Sequence, residues 1–379
     1  MPGIYLDHAS STPCDPRVFE AMRPFFLELS GNASSPHKQG RQARRAIDQS
    51  RDMLASFINA LPAQIIFTSG ASESNNHAIF STAQAFKDKG KHIVASAIEH
   101  HSVLEPLHRL EQEGFEVSFV KPKSDGIMAF EDIKSALRPD TILVCCAHAN
   151  NEIGTLQPVE AIGLLCREKS IHFLVDATQT VGHIPVNVKN INCDLLSLSA
   201  HKFYGPQGVG ALYTRQSSCL PFILGGDQER GRRAGTQNTA GIVGLGEAIK
   251  LGQAQMAQDS PRETQLRDRV IEVVLKEISS AVLNGHREKR LPNNAHFSFA
   301  NINGEELVSA LDQANVAVSM GSACTWGRLE PSHVLRAIGL TDPMALGSLR
   351  VSVGRWTTEQ DIAYFLEQLT LKVSQLKAS

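Results

Sequence analysis

From about residue 60 onward the chain alternates short β-branched or apolar runs with longer amphipathic segments, and this alternation limits the fold more than any other feature. "QIIFTSG" reads as a strand leading into a helix at "SESNNHAIFSTAQAFKDKG". "KHIVASAI", "EVSFV", "TILVCCA", "IHFLVDA" and "CDLLSLS" follow as strands, most of them separated by helix-length segments. The pattern predicts an α/β fold with a mainly parallel sheet covered by helices on both faces. "GVGALYT" comes directly after a tight turn and is placed to return as an antiparallel strand.

A long polar helical stretch begins near Ile242 and runs past Arg269. Beyond it lies a second α/β set: strands at "AHFSFAN", "VAVSMG" and "SLRVSVG", and helices at "GEELVSALDQA", "PSHVLRAIG" and "TTEQDIAYFLEQLTLKVSQL". Thr357 and Gln360 have the spacing of a capping box for the last helix. The expected division is a large domain over 15–255 and a small one over 256–379 joined by 1–14. A length of 379 residues is enough for two cores.

Composition removes several classes of function. The hydrophobic fraction of 42% and charged fraction of 20% are those of a globular protein. A net charge of −2 offers no footprint for nucleic acid. Its one basic cluster, Arg41, Arg44 and Arg45, reads as the polar face of a helix. No run of about 20 apolar residues is present, so no membrane span is expected. "MPGIYLDHASSTP" lacks the basic flank and apolar core of a signal peptide. The seven cysteines form no CxxC pair or zinc spacing, which suits reduced thiols in a cytoplasm.

Four features sit just past the ends of predicted strands, where open parallel sheets collect ligands. In "FTSGASES", Gly70 permits close backbone approach at a helix start that attracts phosphate, with Ser69, Ser72 and Ser74 as further donors; a simple N-cap reads equally well. Asp176 ends "HFLVD", as a partner for a protonated ring nitrogen or as a cap for the next helix. Lys202 lies in "SAHKFYGPQGVG", where a lysine with a covalent use competes with one whose stem packs while its head reaches water. His100 or His101 in "IEHHSVLEP" is placed to stack on an aromatic ring. Phosphate cradle, carboxylate, imine-forming lysine and stacking ring are together the needs of pyridoxal 5′-phosphate.

The marks "YLDHASSTP", "GNASSPHKQGR", "IIFTSGASESNNHAI", "ANNEIGTLQPV", "HFLVDATQTVGHIPV", "SAHKFYGPQGVGALY", "GGDQERGRRAGTQN" and "SMGSACTWGRLEPSHVLRAIGL" run nearly end to end. Through them the chain resembles the cysteine desulfurases of the nitrogen-fixation and housekeeping iron–sulfur subgroup, within the class V aminotransferase group of fold-type I pyridoxal-phosphate enzymes. The resemblance implies that Lys202 forms the Schiff base, Asp176 partners the pyridinium, His100 stacks on the ring and Gln179 donates to the ring oxygen. It implies a phosphate cradle of Ala71, Ser72, Ser199 and His201, with Thr236 reaching the phosphate of a neighbouring subunit in a homodimer. Asn32, Asn151 and Arg350 align with residues that receive the substrate, Arg350 holding its carboxylate, although a surface arginine on a strand would read the same way. The chain departs from the family at His8, Ala9, Ser10 and Ser11, at Ser72, at Asp227 and at Trp326.

Cys324 lies between Gly321 and Gly327 with Pro331 beyond, a composition expected of a loop able to move, and it is a better nucleophile candidate than Cys145 or Cys146 inside a strand. The resemblance implies that Lys202 removes the Cα proton of L-cysteine and that Cys324 takes its sulfur as a persulfide, leaving L-alanine. The persulfide would pass to an acceptor such as an iron–sulfur scaffold. Competing readings are transamination or selenocysteine cleavage on the same lysine and aspartate, and a catalytically silent binding homologue. A metal site of His100, His101 and His108 matches no common ligand spacing.

Overall fold

The computed structural model describes residues 3–215, 219–320 and 330–378. A short strand β1 (Ile4–Tyr5) and two helices, α1 (Pro16–Leu27) and α2 (Lys38–Phe57), precede the alternation. Asp15 caps α1, with Pro16 at the first helical position, where its missing N–H costs nothing. Arg41, Arg44 and Arg45 fall on the exposed face of α2, as expected.

Then come β2 (Ile65–Thr68), α3 (Ala71–Phe86), β3 (His92–Ser96), α4 (His101–Gln112) and β4 (Glu116–Val120). They are followed by α5 (Phe130–Ala136), β5 (Thr141–Cys145), α6 (Val159–Lys169) and β6 (His172–Asp176). A single turn α7 (Val188–Ile191) leads to β7 (Leu195–Ser199) and β8 (Gly210–Thr214). The seven strands form one sheet in the order β2-β8-β7-β6-β5-β3-β4. Only β8 runs against its neighbours, so the expected antiparallel return and mainly parallel sheet are both observed.

Successive side chains of a strand point to opposite faces. Val94, Leu196 and Leu198 accordingly join the core under α2 and α6, while Ile93, Ala95 and Leu195 join the core under α3 and α4. Two covered faces explain why β3, β5 and β7 read as continuous apolar runs, and why edge strand β4 does not.

Helix α8 (Thr239–Glu277) links two cores. Its first half packs Leu245 and Ile249 with Ile47 and Leu54; its second packs Leu266, Val270 and Val274 with Phe297 and Phe365. The second core belongs to β9 (Ala281–Asn284), β10 (Asn294–Phe299), α9 (Gly304–Asp312), β11 (Val316–Ala317), β12 (Ser348–Ser352) and α12 (Glu359–Ala378), while α10 (His333–Ala337) and α11 (Asp342–Leu346) pack Val334, Leu335 and Ala345 with Ile98 and Ile153 in a smaller cluster. β12, β10 and β9 make an antiparallel sheet, and β1 pairs in parallel with β11.

Two local expectations are corrected. Within "VAVSMG", the described residues 316–320 form only the two-residue β11, because the pairing is divided: Ile4 and Tyr5 take Val316 and Ala317, while Ser319 bridges to Arg350. The cap of α12 is Thr358 with Asp361, not Thr357 with Gln360. Asp361 N donates to Thr358 Oγ1 at 3.1 Å and Thr358 N donates back to Asp361 at 2.8 Å. Thr357 Oγ1 instead accepts from Gly354 N at 2.9 Å, closing the turn before the helix.

Candidate active site

β3 has β4 on one side and β5 on the other, so the chain reverses direction across the sheet there. A ligand crevice is expected beside such a switch point, at the carboxyl ends of the strands. A cavity of about 510 Å³ opens at that edge; Asp176 and Ser199 reach it from the last positions of β6 and β7, and His100 and Lys202 from the segments following β3 and β7.

Lys202 closes a short 3-10 turn, Ala200–Lys202, that follows β7. Its head does not run out along the surface. Nζ donates to the carbonyls of Ala9 at 2.7 Å and Ser10 at 2.6 Å inside the cavity. Gly210, at the start of β8, packs closely against Gly70. A Cβ on Gly210 would lie 2.5 Å from the Leu198 carbonyl and 2.7 Å from Gly70 Cα.

Gly70 occupies the cap position of α3 and supplies no side-chain bond to the helix start. An ordinary side-chain N-cap therefore does not describe "FTSGASES". Uncapped first-turn amides favour an anion. Ala71, Ser72, Ser199 and His201 line the cavity, together with Ser69. Burial and the neighbouring Lys202 push the His201 imidazole down to about 4. Ser74 is excluded from this group, since it is fully buried and bonds to Thr68 Oγ1 at 2.8 Å.

Asp176 is 8% exposed; it makes the cap bond and also faces the cavity. Oδ1 accepts from Thr178 N at 2.9 Å, as a cap would, and Oδ2 accepts from Asn75 Nδ2 at 2.8 Å, while the side chain lines the cavity. Asn75 also donates to Ser102 Oγ at 2.9 Å, and Ser102 Oγ contacts His100 Nδ1 at 2.8 Å. His100 caps α4, its Nδ1 accepting from Ser102 N at 3.0 Å. In the neutral ring the proton therefore sits on Nε2. Burial lowers the basicity of His100, against the opposing pull of Asp176. Asn75 and Ser102 carried no signal in the sequence; they are polar residues on helices whose relation to Asp176 exists only after folding.

Gln179 Nε2 donates to Ala9 O at 3.0 Å. Arg350, on β12, is 2% exposed and reaches the cavity from the second core. Its Nη1 donates to the Asn151 carbonyl at 2.9 Å, and Nη2 to Asp7 at 2.9 Å and Ser10 Oγ at 2.5 Å. It is not a surface arginine. Glu152, beside Asn151, also lines the cavity and accepts from Ser332 Oγ at 2.6 Å, and burial raises its carboxyl.

Not every expected residue converges here. Asn32 is exposed, with Oδ1 taken by Ser34 N at 2.9 Å. Thr236 is exposed and lines a separate cavity of about 160 Å³, which shares Ser69 and Gly208 with the first. His8 turns away, Nδ1 bonding to Ser352 O at 3.0 Å with its ring against Gly354. Asp227 is exposed and precedes a short turn, Gln228–Gly231, whose Glu229 is buried. Cys324 and Trp326 lie outside the described residues. Cys145 and Cys146 are buried, and burial raises both thiols well above their ordinary range, so neither offers a thiolate.

These residues fit pyridoxal 5′-phosphate. A buried carboxylate suits the ring nitrogen, an amine the aldehyde, and an uncapped helix start with hydroxyls the phosphate.

The class-V aminotransferase profile matches residues 4–365. The chain is 50% identical over 375 residues to a cysteine desulfurase IscS of Dictyoglomus turgidum, covering 99% of this chain and 95% of that one. Its identity to a cysteine desulfurase IscS of Shewanella loihica is 46%, covering 99% and 93%. Among solved structures, a NifS-like protein superposes with a TM-score of 0.93 at 34% identity, covering 98% of this chain and 100% of that one. SspA in complex with cysteine superposes with 0.83 at 37% identity, covering 94% and 100%. The chain belongs to the class-V aminotransferase family. Within it, these relatives place the chain on the cysteine desulfurase branch.

Proposed function

We propose that the protein is a pyridoxal-phosphate-dependent cysteine desulfurase that converts L-cysteine to L-alanine and passes the sulfur on as a persulfide of Cys324. The observation that carries the reading is the convergence of Lys202, Asp176 and Arg350 on one cavity. Bound there, the cofactor supplies an electron sink for the substrate's Cα. Lys202 would hold it covalently, Asp176 would face its ring nitrogen, His100 its ring and Gln179 its ring oxygen. Ala71, Ser72, Ser199 and His201 would surround its phosphate.

Arg350 would take the substrate carboxylate, with Asn151 beside it. Two guanidinium nitrogens suit two carboxylate oxygens, and the site's low exposure strengthens the pair. Lys202, released when the substrate amine takes its place, would remove the Cα proton through Nζ. The Cys324 thiolate would then attack the substrate sulfur. The C–S bond would break with its electron pair left on the carbon side, and protonation of Cβ together with return of the Lys202-held proton to Cα would yield alanine. His100 would donate its Nε2–H to the substrate thiol.

Asn32 and Thr236, which stay out of this cavity, would act at a neighbouring subunit's site or on entry of substrate. The exposed Thr236 supports a homodimer in which it reaches the partner's phosphate. Separate apolar cores support domains at 15–255 and at 1–14 with 256–379, the latter core including Leu6. The acceptor would be a protein such as an iron–sulfur scaffold, in the cytoplasm. No helix among the described residues is long and apolar enough to cross a membrane.

Supplying L-cysteine to the purified protein tests the reading. It requires a visible absorption that disappears in Lys202→Ala, and alanine formed in step with transferred sulfur. A parent protein that releases pyruvate or an amino-group transfer product in place of alanine would overturn it.

A further inference from the structure

The backbone just beyond Lys202 is held in an unfavourable conformation. Tyr204 has φ +67°, a left-handed region that bulky residues seldom occupy. Several bonds hold it there. Tyr204 N donates to Thr12 Oγ1 at 2.7 Å, and Tyr204 O accepts from Asp15 N at 3.0 Å. The carbonyl of Lys202 itself accepts from His183 Nε2 at 2.9 Å.

His183 is 4% exposed. A carbonyl only accepts, so Nε2 carries a proton. The other ring nitrogen, Nδ1, faces Glu263 Oε2 at 3.7 Å. Glu263 comes from α8 and is also buried, and Oε2 has no hydrogen-bond partner among the described residues. Both ring nitrogens thus face acceptors, an arrangement that the imidazolium satisfies. Glu263 Oε1 accepts from the Tyr204 hydroxyl at 3.4 Å, and that hydroxyl accepts from Arg355 N at 2.6 Å. The other charges nearby are the Arg355 guanidinium, 4.2 Å above the Tyr204 ring, and the carboxylates of Asp15 and Asp259 that it bonds. His8 lies in the same region, and the Lys202 side chain lines the cavity. Burial alone would discharge His183; Glu263 outweighs it and raises the imidazole's basicity.

We infer that His183, anchored by Glu263, is a positioning residue that fixes the peptide carrying Lys202 and thereby the aim of its amine into the cavity. The inference rests on the reading of Lys202 as the cofactor-binding lysine. Neither residue touches the cavity, and neither is needed by the chemistry above. Their contribution is geometric. A displacement of about 1 Å in a reacting group costs on the order of 100-fold in rate, so a hinge point behind the lysine is kinetically exposed.

The test compares holoenzyme with His183→Ala and His183→Gln. It reads kcat and KM for L-cysteine, and the pH midpoint at which the visible absorption of the lysine-bound cofactor changes. His183→Ala is expected to lower kcat about 10-fold or more, leave KM within about twofold, and shift the midpoint. His183→Gln, whose amide N–H can donate to the same carbonyl, is expected to recover most of kcat. Parental kcat and midpoint in His183→Ala would overturn the inference. So would equal losses in Ala and Gln that vanish when rates are expressed per bound cofactor. If His183→Ala does not fold, Glu263→Gln removes the counter-charge in the same shape, and an unchanged midpoint and kcat there overturns the inference. Lys202→Ala separates the two levels. Loss of its absorption beside a parental His183→Ala sinks the positioning role alone, whereas a persisting absorption sinks the lysine assignment and the inference with it.

Discussion

Arg350 Nη2 lies 2.9 Å from Asp7 Oδ1, although the two residues are 343 positions apart. The ion pair forms because the N-terminal segment runs beside β12, where Asp7 bridges to Ser352. It holds the guanidinium of a buried arginine facing the cavity. Lysine at 350 would keep the charge and lose the planar fork. Arg350→Lys is expected to raise KM for L-cysteine about 10- to 100-fold with a smaller change in kcat, measured by steady-state alanine formation. Asp7→Ala, by removing a charged hydrogen-bond partner, is expected to cost about 2 kcal/mol in urea unfolding.

Asp176→Asn tests the carboxylate at the end of β6. The amide keeps the size and the contact with Thr178 N but cannot hold a ring nitrogen's proton by charge. A fall in kcat of about 100-fold or more is expected, with the cofactor still bound by absorption. Undiminished turnover would remove Asp176 from the chemistry.

Two buried carboxyls give stability opposite pH slopes. Asp15, bonded first by Arg17 and then by Arg355, is held down to about 2. Its unfolded value is about 3.9, so the unfolded chain binds the proton first on acidification. The contribution is complete above about pH 4 and is lost as pH falls toward 2. Asp15→Asn should flatten that acid limb in denaturant titrations.

Glu99 behaves in the reverse sense. Burial, with Asp176 nearby, pushes its carboxyl up to about 8 despite a 2.8 Å bond from Ala147 N. Between about pH 4.3 and 8 the folded state keeps a proton that the unfolded state releases, so stability falls as pH rises through that window. Glu99→Gln keeps an oxygen for Ala147 N and has nothing to ionise. Its urea midpoint should decline less than the parent's between pH 5 and 8.

What the sequence made legible was whatever depends on neighbours along the chain. β3, β5 and β7 show as apolar runs because both faces are covered, and Asp176 and Lys202 stand out because each follows such a run. Contacts between distant segments were not legible. The pairing of β11 with β1, the Asn75–Ser102 link to His100, and the approach of Glu263 to His183 each join residues with no periodic relation. The cap of α12 falls one residue beyond the expected Thr357, because adjacent threonines offer the same hydroxyl and only backbone geometry chooses Thr358. Thr358→Ala is expected to cost about 1 kcal/mol in thermal or urea unfolding.

In the proposed reaction sulfur passes to Cys324. The most direct measurement supplies L-cysteine to the parent and to Cys324→Ser and quantifies alanine together with protein-bound persulfide. The expected result is both products from the parent and neither from the variant, with the visible absorption of the cofactor intact in both. Alanine formed by the variant as fast as by the parent would contradict the claim that Cys324 abstracts the sulfur.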